Sequence, residues 1–283
     1  MPGHDIITIG ASAGGVETLI SLVRGLPFNL PAAVFVVVHF PPHSPSLLPD
    51  ILNRNGSLPA GHAQHGELIQ TGRIYVATPD YHLLVRRGAI HIVRGPRENH
   101  CRPAIDPLFR SAALAYGPRV IGVILSGTLG DGTAGLFAVK EQGGIAIVQD
   151  PQDALFPEMP HNAMFYVQCD YVVPLADLAD LLVRLSHEPV EEISMVSSDM
   201  EKESAVAEID MATIENQEKP ESPRLLPAQT VVVLCGSYRM ANCCAFAAGP
   251  DTRFPPKVFW WSRAKRSKVR YGPRCVDSKK MPP

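Results

Sequence analysis

The chain has 283 residues, of which 46% are hydrophobic and 19% are charged. This length and composition predict one or two folded domains and exclude a chain that is disordered throughout. The net charge of -2 hides three unlike segments: residues 1–187 carry -3, residues 188–222 carry -9 and residues 226–283 carry +9, with Arg224 supplying the remaining +1. The near-neutral first segment is not typical of a nucleic-acid-binding domain, so no nucleic-acid partner is expected for it.

Residues 1–187 alternate apolar, strand-like runs with amphipathic helical segments. The order of predicted strands and helices indicates an α/β domain with a doubly wound, mostly parallel sheet. Strands are predicted at residues 6–9, 34–38, 120–125, 145–148 and 171–173, and helices at residues 16–25, 108–116, 134–141 and 175–186. Residues 83–93 interrupt this alternation and predict an antiparallel β-hairpin at one edge of the sheet.

The composition changes after Glu188. We therefore divide the chain into a folded domain at residues 1–187, an acidic, disordered linker at residues 188–226 and a basic, unstructured tail at residues 227–283. Three interpretations of the tail stay open: a surface that binds nucleic acid or membrane, a segment that docks on the acidic linker, and an out-of-frame translation product. The isolated apolar bursts of the tail, which have no helical or strand period, favour the third.

The amino terminus and the cysteines indicate the cellular compartment. No basic segment followed by a long apolar stretch opens the chain, and the longest apolar run, residues 32–38, is far shorter than the ~20 residues of a membrane helix. Four of the six cysteines lie in the tail, which leaves too few in the folded domain for a disulfide framework. We expect a cytoplasmic protein.

The first predicted strand runs into a Gly-x-Ser-x-Gly sequence, with Gly10, Ser12 and Gly14 at its fixed positions, and a helix follows. A strand–turn–helix of this kind exposes a serine hydroxyl as a nucleophile. A glycine-rich loop in the same place also binds anions at the helix amino terminus, with Ser12 acting only as a cap. The motif alone leaves both interpretations open.

Two more polar residues follow predicted core strands at their carboxyl ends. His39 ends the second strand and is either a general base or a structural histidine, with His43 as a competing base beyond two prolines. Asp131 follows the third core strand between two glycines and is either a helix cap or a carboxylate that orients His39. Because parallel strands bring their carboxyl ends to one edge, Ser12, His39 and Asp131 are predicted to share a crevice as a catalytic triad.

Residues 5–185 resemble the catalytic domain of the CheB-type chemotaxis protein-glutamate methylesterases. The matching stretches occur in the family's order: residues 10–15 (GASAGG), 38–42 (VHFPP), 101–109 (CRPAIDPLF), 122–127 (GVILSG) with Asp131-Gly132, and 159–160 (MP). The resemblance implies a Rossmann-like fold with an antiparallel hairpin. It also implies that Ser12, His39 and Asp131 hydrolyse γ-glutamyl methyl esters on the cytoplasmic helices of methylated chemoreceptors and deamidate receptor glutamine, with no metal or organic cofactor.

Two departures from the family pattern bear on substrate and control. Where the family has Thr-Gly-Met-Gly-x-Asp, residues 126–131 are SGTLGD, so Thr128 occupies the position of the family's Met. The backbone N–H at that position is expected to bind the oxyanion, together with the N–H of Ala13. Familiar members also carry an amino-terminal receiver domain, whereas the first predicted strand here starts near residue 5. Control by phosphorylation in cis is therefore not expected, and any control is expected to come from a separate regulator in trans or from another segment.

Alternative functions are a serine esterase of small esters and a non-catalytic phosphate-binding module. Arg102 either contacts an anionic receptor surface or forms an i,i+4 pair with Asp106. A structural role is favoured for Asp106. His62 and His65 form an H-x-x-H sequence beside glycine and proline, which predicts a loop and no metal site.

Overall fold

A computed structural model describes residues 3–40 and 46–190 of the chain. His43 and the predicted linker and tail lie outside the described residues, and the domain boundaries proposed from sequence stay predictions. The elements in chain order are β1 (Ile6–Ala11), α1 (Gly15–Gly25), β2 (Ala33–Val38), α2 (Leu48–Asn55), β3 (Ala60–His62), β4 (Arg73–Val76), β5 (His82–Arg86), β6 (Ala89–Val93), α3 (Ile105–Tyr116), β7 (Val120–Ile124), α4 (Thr133–Glu141), β8 (Ile145–Gln149), α5 (Glu158–Tyr166), β9 (Tyr171–Val173) and α6 (Leu175–His187).

Seven strands form one parallel sheet in the order β3-β4-β2-β1-β7-β8-β9. The chain builds outward from β1 on one side through β2 and β4, then crosses to the other side at β7. This reversal at β1 is the topological switch point at which doubly wound sheets open a crevice. The predicted doubly wound, mostly parallel fold is confirmed.

Helices cover both faces of the sheet, which explains why β1 and β2 are apolar at nearly every position. Ile7 and Ile9 of β1 face one core with the apolar residues of α1, α2 and α6. Ile6 of β1, with Phe35 and Val37 of β2, faces the other core, which α3, α4 and α5 complete. Every residue of β1 and β2 is buried, so the loops at their carboxyl ends are held by a rigid base.

Two local expectations are corrected. The predicted hairpin forms, as β5 and β6, but it is a separate two-stranded sheet; β3 and β9 occupy the edges of the main sheet. The hairpin instead packs on α3, where the Val85 N–H donates to Ser111 Oγ at 3.0 Å. His62 is the last residue of β3, paired in register with Val76, so its predicted loop is wrong.

Four elements were not predicted from sequence: α2, β3, β4 and α5. Both strands are short, and β3 contains only Ala-Gly-His, which has no β-branched residue. The α5 helix contains Pro160, which weakens its helical pattern. Among residues 3–40 and 46–190, no helix has the length and apolar character needed to cross a membrane.

Candidate active site

Ser12 lies in the turn between β1 and α1, the central strand of the sheet and its first helix. The turn is closed by a hydrogen bond from Gly15 N–H to Ser12 O at 2.9 Å, and Ser12 N–H donates to Ser126 O at 3.0 Å. Gly14 is left-handed at φ 71°, a conformation that side chains other than glycine rarely adopt. Gly14 itself caps α1 with no side-chain hydrogen bond, so Ser12 is not the cap of this helix.

His39 follows β2, the neighbour of β1, and faces Ser12 across the edge of the sheet. Its Nδ1 lies 3.1 Å from Ser12 Oγ, and its Nε2 lies 2.7 Å from Asp131 Oδ2. An ionised carboxylate only accepts hydrogen bonds, so the neutral imidazole carries its proton on Nε2. Its Nδ1 lone pair then faces the Ser12 hydroxyl, which is the geometry in which an imidazole removes a hydroxyl proton.

Asp131 follows β7, the other neighbour of β1, and its side chain is only 2% exposed. Besides His39, it accepts hydrogen bonds from the backbone N–H groups of Ile105 at 2.7 Å, Gly132 at 3.0 Å and Asp106 at 3.3 Å. The cap interpretation is wrong for the helix that follows Asp131, because Gly132 is the cap of α4. Asp131 instead accepts from the first N–H groups of α3. It also contacts the imidazole, and its role in orienting His39 stays a prediction.

Sequence reasoning missed Asn99, whose side-chain amide joins two buried carboxylates. Its Nδ2 donates to Asp131 Oδ1 at 2.7 Å and to Asp106 Oδ2 at 2.8 Å. Asp106 also accepts from Gly135 N–H at 2.6 Å, in agreement with the structural role favoured for it. Of the two interpretations left open for Arg102, the pair with Asp106 is not formed, since Arg102 precedes α3 and contacts Asp80 at 2.7 Å. The anionic receptor surface stays a prediction.

Charges are distributed unequally in this cluster. Burial lowers the pKa of the His39 imidazole, but hydrogen bonds and charges of Asp131 and Cys101 outweigh burial and raise that pKa to about 9. Burial raises the pKa of Asp131, but the bonds from His39, Ile105 N–H and other donors hold it below its usual range. Burial and the charge of Asp131 raise the pKa of Asp106 to about 7. Negative charge is thus concentrated on the carboxylate that faces His39.

Ser126 fixes the turns around Ser12 relative to one another, a role that sequence reasoning also missed. Its hydroxyl donates to Ala13 O at 2.9 Å and accepts from Phe156 N–H at 2.9 Å. Its own N–H donates to the side chain of Gln149, at the end of β8, at 2.9 Å. The loops after β1, β7 and β8 are therefore tied at one buried hydroxyl.

The two backbone groups predicted to bind an oxyanion flank Ser12. Within the described part of the chain, neither Ala13 N–H nor Thr128 N–H has a hydrogen-bond acceptor. By contrast, Gly127 N–H donates to Phe156 O at 2.9 Å and Leu129 N–H to Glu158 Oε2 at 3.1 Å. The two groups named from sequence are thus available to a ligand, and their oxyanion role stays a prediction.

A small cavity of about 80 Å³ opens over His39. The loop that precedes α3 supplies most of its lining, which comprises His39, Phe40, Arg97, His100, Cys101, Arg102 and Pro103. The described residues contain no group of His, Cys, Asp and Glu side chains that could hold a metal ion, His62 and His65 included.

The comparisons with known proteins all indicate one family. The family model described as CheB methylesterase matches residues 7–182. A putative protein-glutamate methylesterase/protein-glutamine glutaminase of Leptospira interrogans is 36% identical over 190 residues, covering 67% of this chain and 98% of the relative. A protein-glutamate methylesterase/protein-glutamine glutaminase of Methanosarcina mazei is 34% identical, covering 64% of this chain and 52% of the relative.

The crystal structure of the Thermotoga maritima CheB methylesterase catalytic domain is similar to the described fold, with a TM-score of 0.62 and 34% identity. The similarity covers 64% of this chain and 98% of the crystallised chain. The chain spans about half the length of several curated relatives it matches, including one of Rhodospirillum rubrum at 38% identity.

Proposed function

Because this chain belongs to the CheB methylesterase family, we propose that it hydrolyses γ-glutamyl methyl esters on the cytoplasmic helices of chemoreceptors. Ser12 is the nucleophile, His39 the general base and Asp131 the carboxylate that orients and stabilises the imidazole. The observation that carries the proposal is the chain of contacts from Ser12 Oγ through His39 to Asp131, at 3.1 and 2.7 Å.

Acylation begins as Ser12 Oγ attacks the ester carbonyl and its proton passes to His39 Nδ1. The imidazolium that forms is paired with Asp131, the residue on which negative charge is concentrated. The negative carbonyl oxygen accepts hydrogen bonds from the N–H groups of Ala13 and Thr128, each worth about 3 kcal/mol in sites of this kind. The tetrahedral intermediate then collapses, and methanol leaves with the proton from His39.

Deacylation repeats these steps with water in place of the serine hydroxyl. His39 takes a proton from water, the hydroxide attacks the acyl-enzyme carbonyl, and Ser12 leaves as it regains its proton. The product is a glutamate side chain. A glutamine side chain undergoes the same acyl transfer with ammonia as the leaving group, which accounts for the deamidase activity included in the proposal.

The test is release of methanol from a radiolabelled methylated chemoreceptor. We expect release by the wild type, none by Ser12→Ala and a strongly reduced rate for Asp131→Asn. Ser57→Ala is the matched control, since this exposed serine lies in the loop after α2. Hydrolysis of a generic small ester without methanol release would instead identify a small-ester esterase. A folded chain with neither activity would refute the proposal and favour a phosphate-binding module.

A further inference from the structure

Three large apolar side chains are exposed beside Ser12: Leu129 at 67%, Leu155 at 69% and Phe156 at 38%. We call them the apolar wall. Leu155 lies against Gly14, where an added Cβ would come within 3.1 Å of its side chain. Phe156 O accepts from Gly127 N–H, and the Cβ position of Gly127 is 2.9 Å from Ser12 Cβ. The wall is therefore continuous with the turn that carries the proposed nucleophile.

Leu129 has an exposed side chain and a backbone conformation that leucine disfavours. Its φ of 69° is in the left-handed region, which costs a residue other than glycine about 1 kcal/mol or more. Two side chains of α5 hold it there: Glu158 accepts from its N–H at 3.1 Å, and Asn162 donates to its carbonyl at 2.6 Å. Backbone strain that surrounding contacts maintain is a recognised mark of a functional position.

A cation lies on the opposite side of Ser12. Arg97 lines the cavity over His39, is exposed, and has no ion pair or hydrogen bond with the described residues. The other arginine of this cavity, Arg102, forms an ion pair with Asp80, which Arg94 shares. Arg97 is thus the free positive charge of the cavity among the residues the structure describes.

The sheet order places the cavity that Arg97 lines and the apolar wall on either side of Ser12. Along the carboxyl edge, His39 of that cavity follows β2, Ser12 follows β1 and Leu129 follows β7, while Leu155 of the loop after β8 returns to Gly14 beside Ser12. Neighbouring strands are about 4.8 Å apart, so His39 and Leu129 are separated by two strand spacings, roughly 10 Å. That is the length of about two turns of helix. A short helical segment is therefore long enough to reach both features.

We propose that the site recognises an amphipathic substrate helix, with an aliphatic residue on the apolar wall and an acidic residue at Arg97, about one helical turn to either side of the glutamyl ester. The inference rests on the proposed role of Ser12 and adds the flanking sequence that the substrate must have. The exposed aliphatic surface of the wall favours an apolar side chain, and the guanidinium of Arg97 favours a carboxylate. The carboxylate of Glu158 beside Leu129 repels an acidic residue from the apolar side, so the helix binds in one direction.

Binding of synthetic helical peptides to the Ser12→Ala variant tests this without any need for hydrolysis. Each peptide has 18 residues with a central γ-methyl glutamate. One has leucine four positions before the ester and glutamate four positions after it, and a second has the reverse order. In matched peptides, alanine replaces the leucine or glutamine replaces the glutamate. Affinity is measured by fluorescence anisotropy.

We expect one order to bind more tightly, and loss of either flanking residue to weaken it by about fivefold. Leu155→Ser removes the preference for leucine and leaves that for glutamate, and Arg97→Gln does the converse. The preference for glutamate also weakens in high salt. The controls Phe28→Ser and Arg54→Gln, exposed residues at the opposite edge of the sheet, change neither preference.

Equal affinity for all peptides, or an equal loss in the control variants, would overturn the inference. So would Leu155→Ser and Arg97→Gln variants that each weaken every peptide to the same extent. Methanol release by the chain with Ser12 intact is a separate measurement that reports on the proposed function. Selective binding without methanol release would overturn that function alone, and methanol release without selective binding would overturn this inference alone.

Discussion

Asn99 offers the sharpest test of how the candidate triad is held in place. Its two amide protons bind two buried carboxylates, Asp131 at 2.7 Å and Asp106 at 2.8 Å. Its φ of 50° is left-handed, so Asn99→Gly removes the side chain without backbone strain, whereas alanine would introduce such strain. After this change Asp131 keeps four other donors, whereas Asp106 keeps only Gly135 N–H among the described residues.

The magnitude follows from these contacts. Each hydrogen bond to a charged group contributes about 1.5–3 kcal/mol, and water at this exposed position replaces part of it, so we expect a loss of about 2 kcal/mol in unfolding free energy. Asp131 loses its shortest donor on Oδ1, the oxygen that does not face His39, and keeps there only the N–H groups of Gly132 and Asp106 at 3.0 and 3.3 Å. The orientation of the carboxylate is then less tightly fixed. A loss of about 10- to 30-fold in kcat is expected, which corresponds to about 1.4–2 kcal/mol of transition-state stabilisation.

The assay is kcat on a generic small ester together with urea unfolding. Asn53→Ala is the matched control, because Asn53 also makes two hydrogen bonds, both to the backbone of Ala60, at 2.7 and 2.8 Å. It loses stability but keeps kcat. Asn99→Asp, which adds a third carboxylate beside Asp131 and Asp106, has lower activity than Asn99→Gly, and the difference between these two variants narrows at acidic pH. The reasoning is refuted if Asn99→Gly and Asn53→Ala have the same kcat.

Three further outcomes are expected. First, kcat/KM rises with pH and levels off above about pH 9, because only neutral His39 accepts the Ser12 proton. Asp131→Asn moves this rise to lower pH. A flat profile in both proteins would contradict the assignment of His39 as the base. Second, because the pKa of His39 is higher in the folded chain, its protonation stabilises the fold by about 3 kcal/mol below pH 6.5, and this contribution is lost as pH rises through about 9. Urea unfolding of His39→Gln should lack that decline, and an unchanged decline would count against it. Third, Gly127→Ala forces a Cβ against Met159 Sδ and 2.9 Å from Ser12 Cβ, and should lower kcat about 100-fold. Gly130→Ala, whose Cβ meets only Asn162 at 3.6 Å, should keep activity; equal losses in the two variants would exclude this steric cause.

The sequence was most informative where a pattern is local. The β-branched runs of β1 and β2 predicted parallel strands, because strands buried on both faces are apolar at successive positions. From the parallel order alone, Ser12, His39 and Asp131 were expected at one edge, and the structure brings them into contact there. Their catalytic roles stay predictions.

Long-range contacts could not be predicted in this way. Asn99 is 32 residues from Asp131 in sequence and lies in a loop whose path depends on the whole domain. The i,i+4 rule failed for Arg102 and Asp106, since it requires both residues to be helical and α3 begins only at Ile105. Ser126 lies in a stretch that matches the family, but its role could not be predicted, because its partners Ala13, Gln149 and Phe156 are distant from it in sequence.

Asp131 both contacts His39 and accepts from the first N–H groups of α3, so the stability of the fold and the geometry of the proposed site depend on the same side chain. Polar groups at functional positions usually cost stability, so neutral drift tends to remove them once activity is no longer selected. Asp131 is different, because it satisfies the first N–H groups of α3, which would otherwise be buried without acceptors. Substitutions that discard the proposed catalytic carboxylate therefore also weaken the helix. Selection for a folded chain alone would preserve one member of the triad, even in a descendant that no longer encounters an ester.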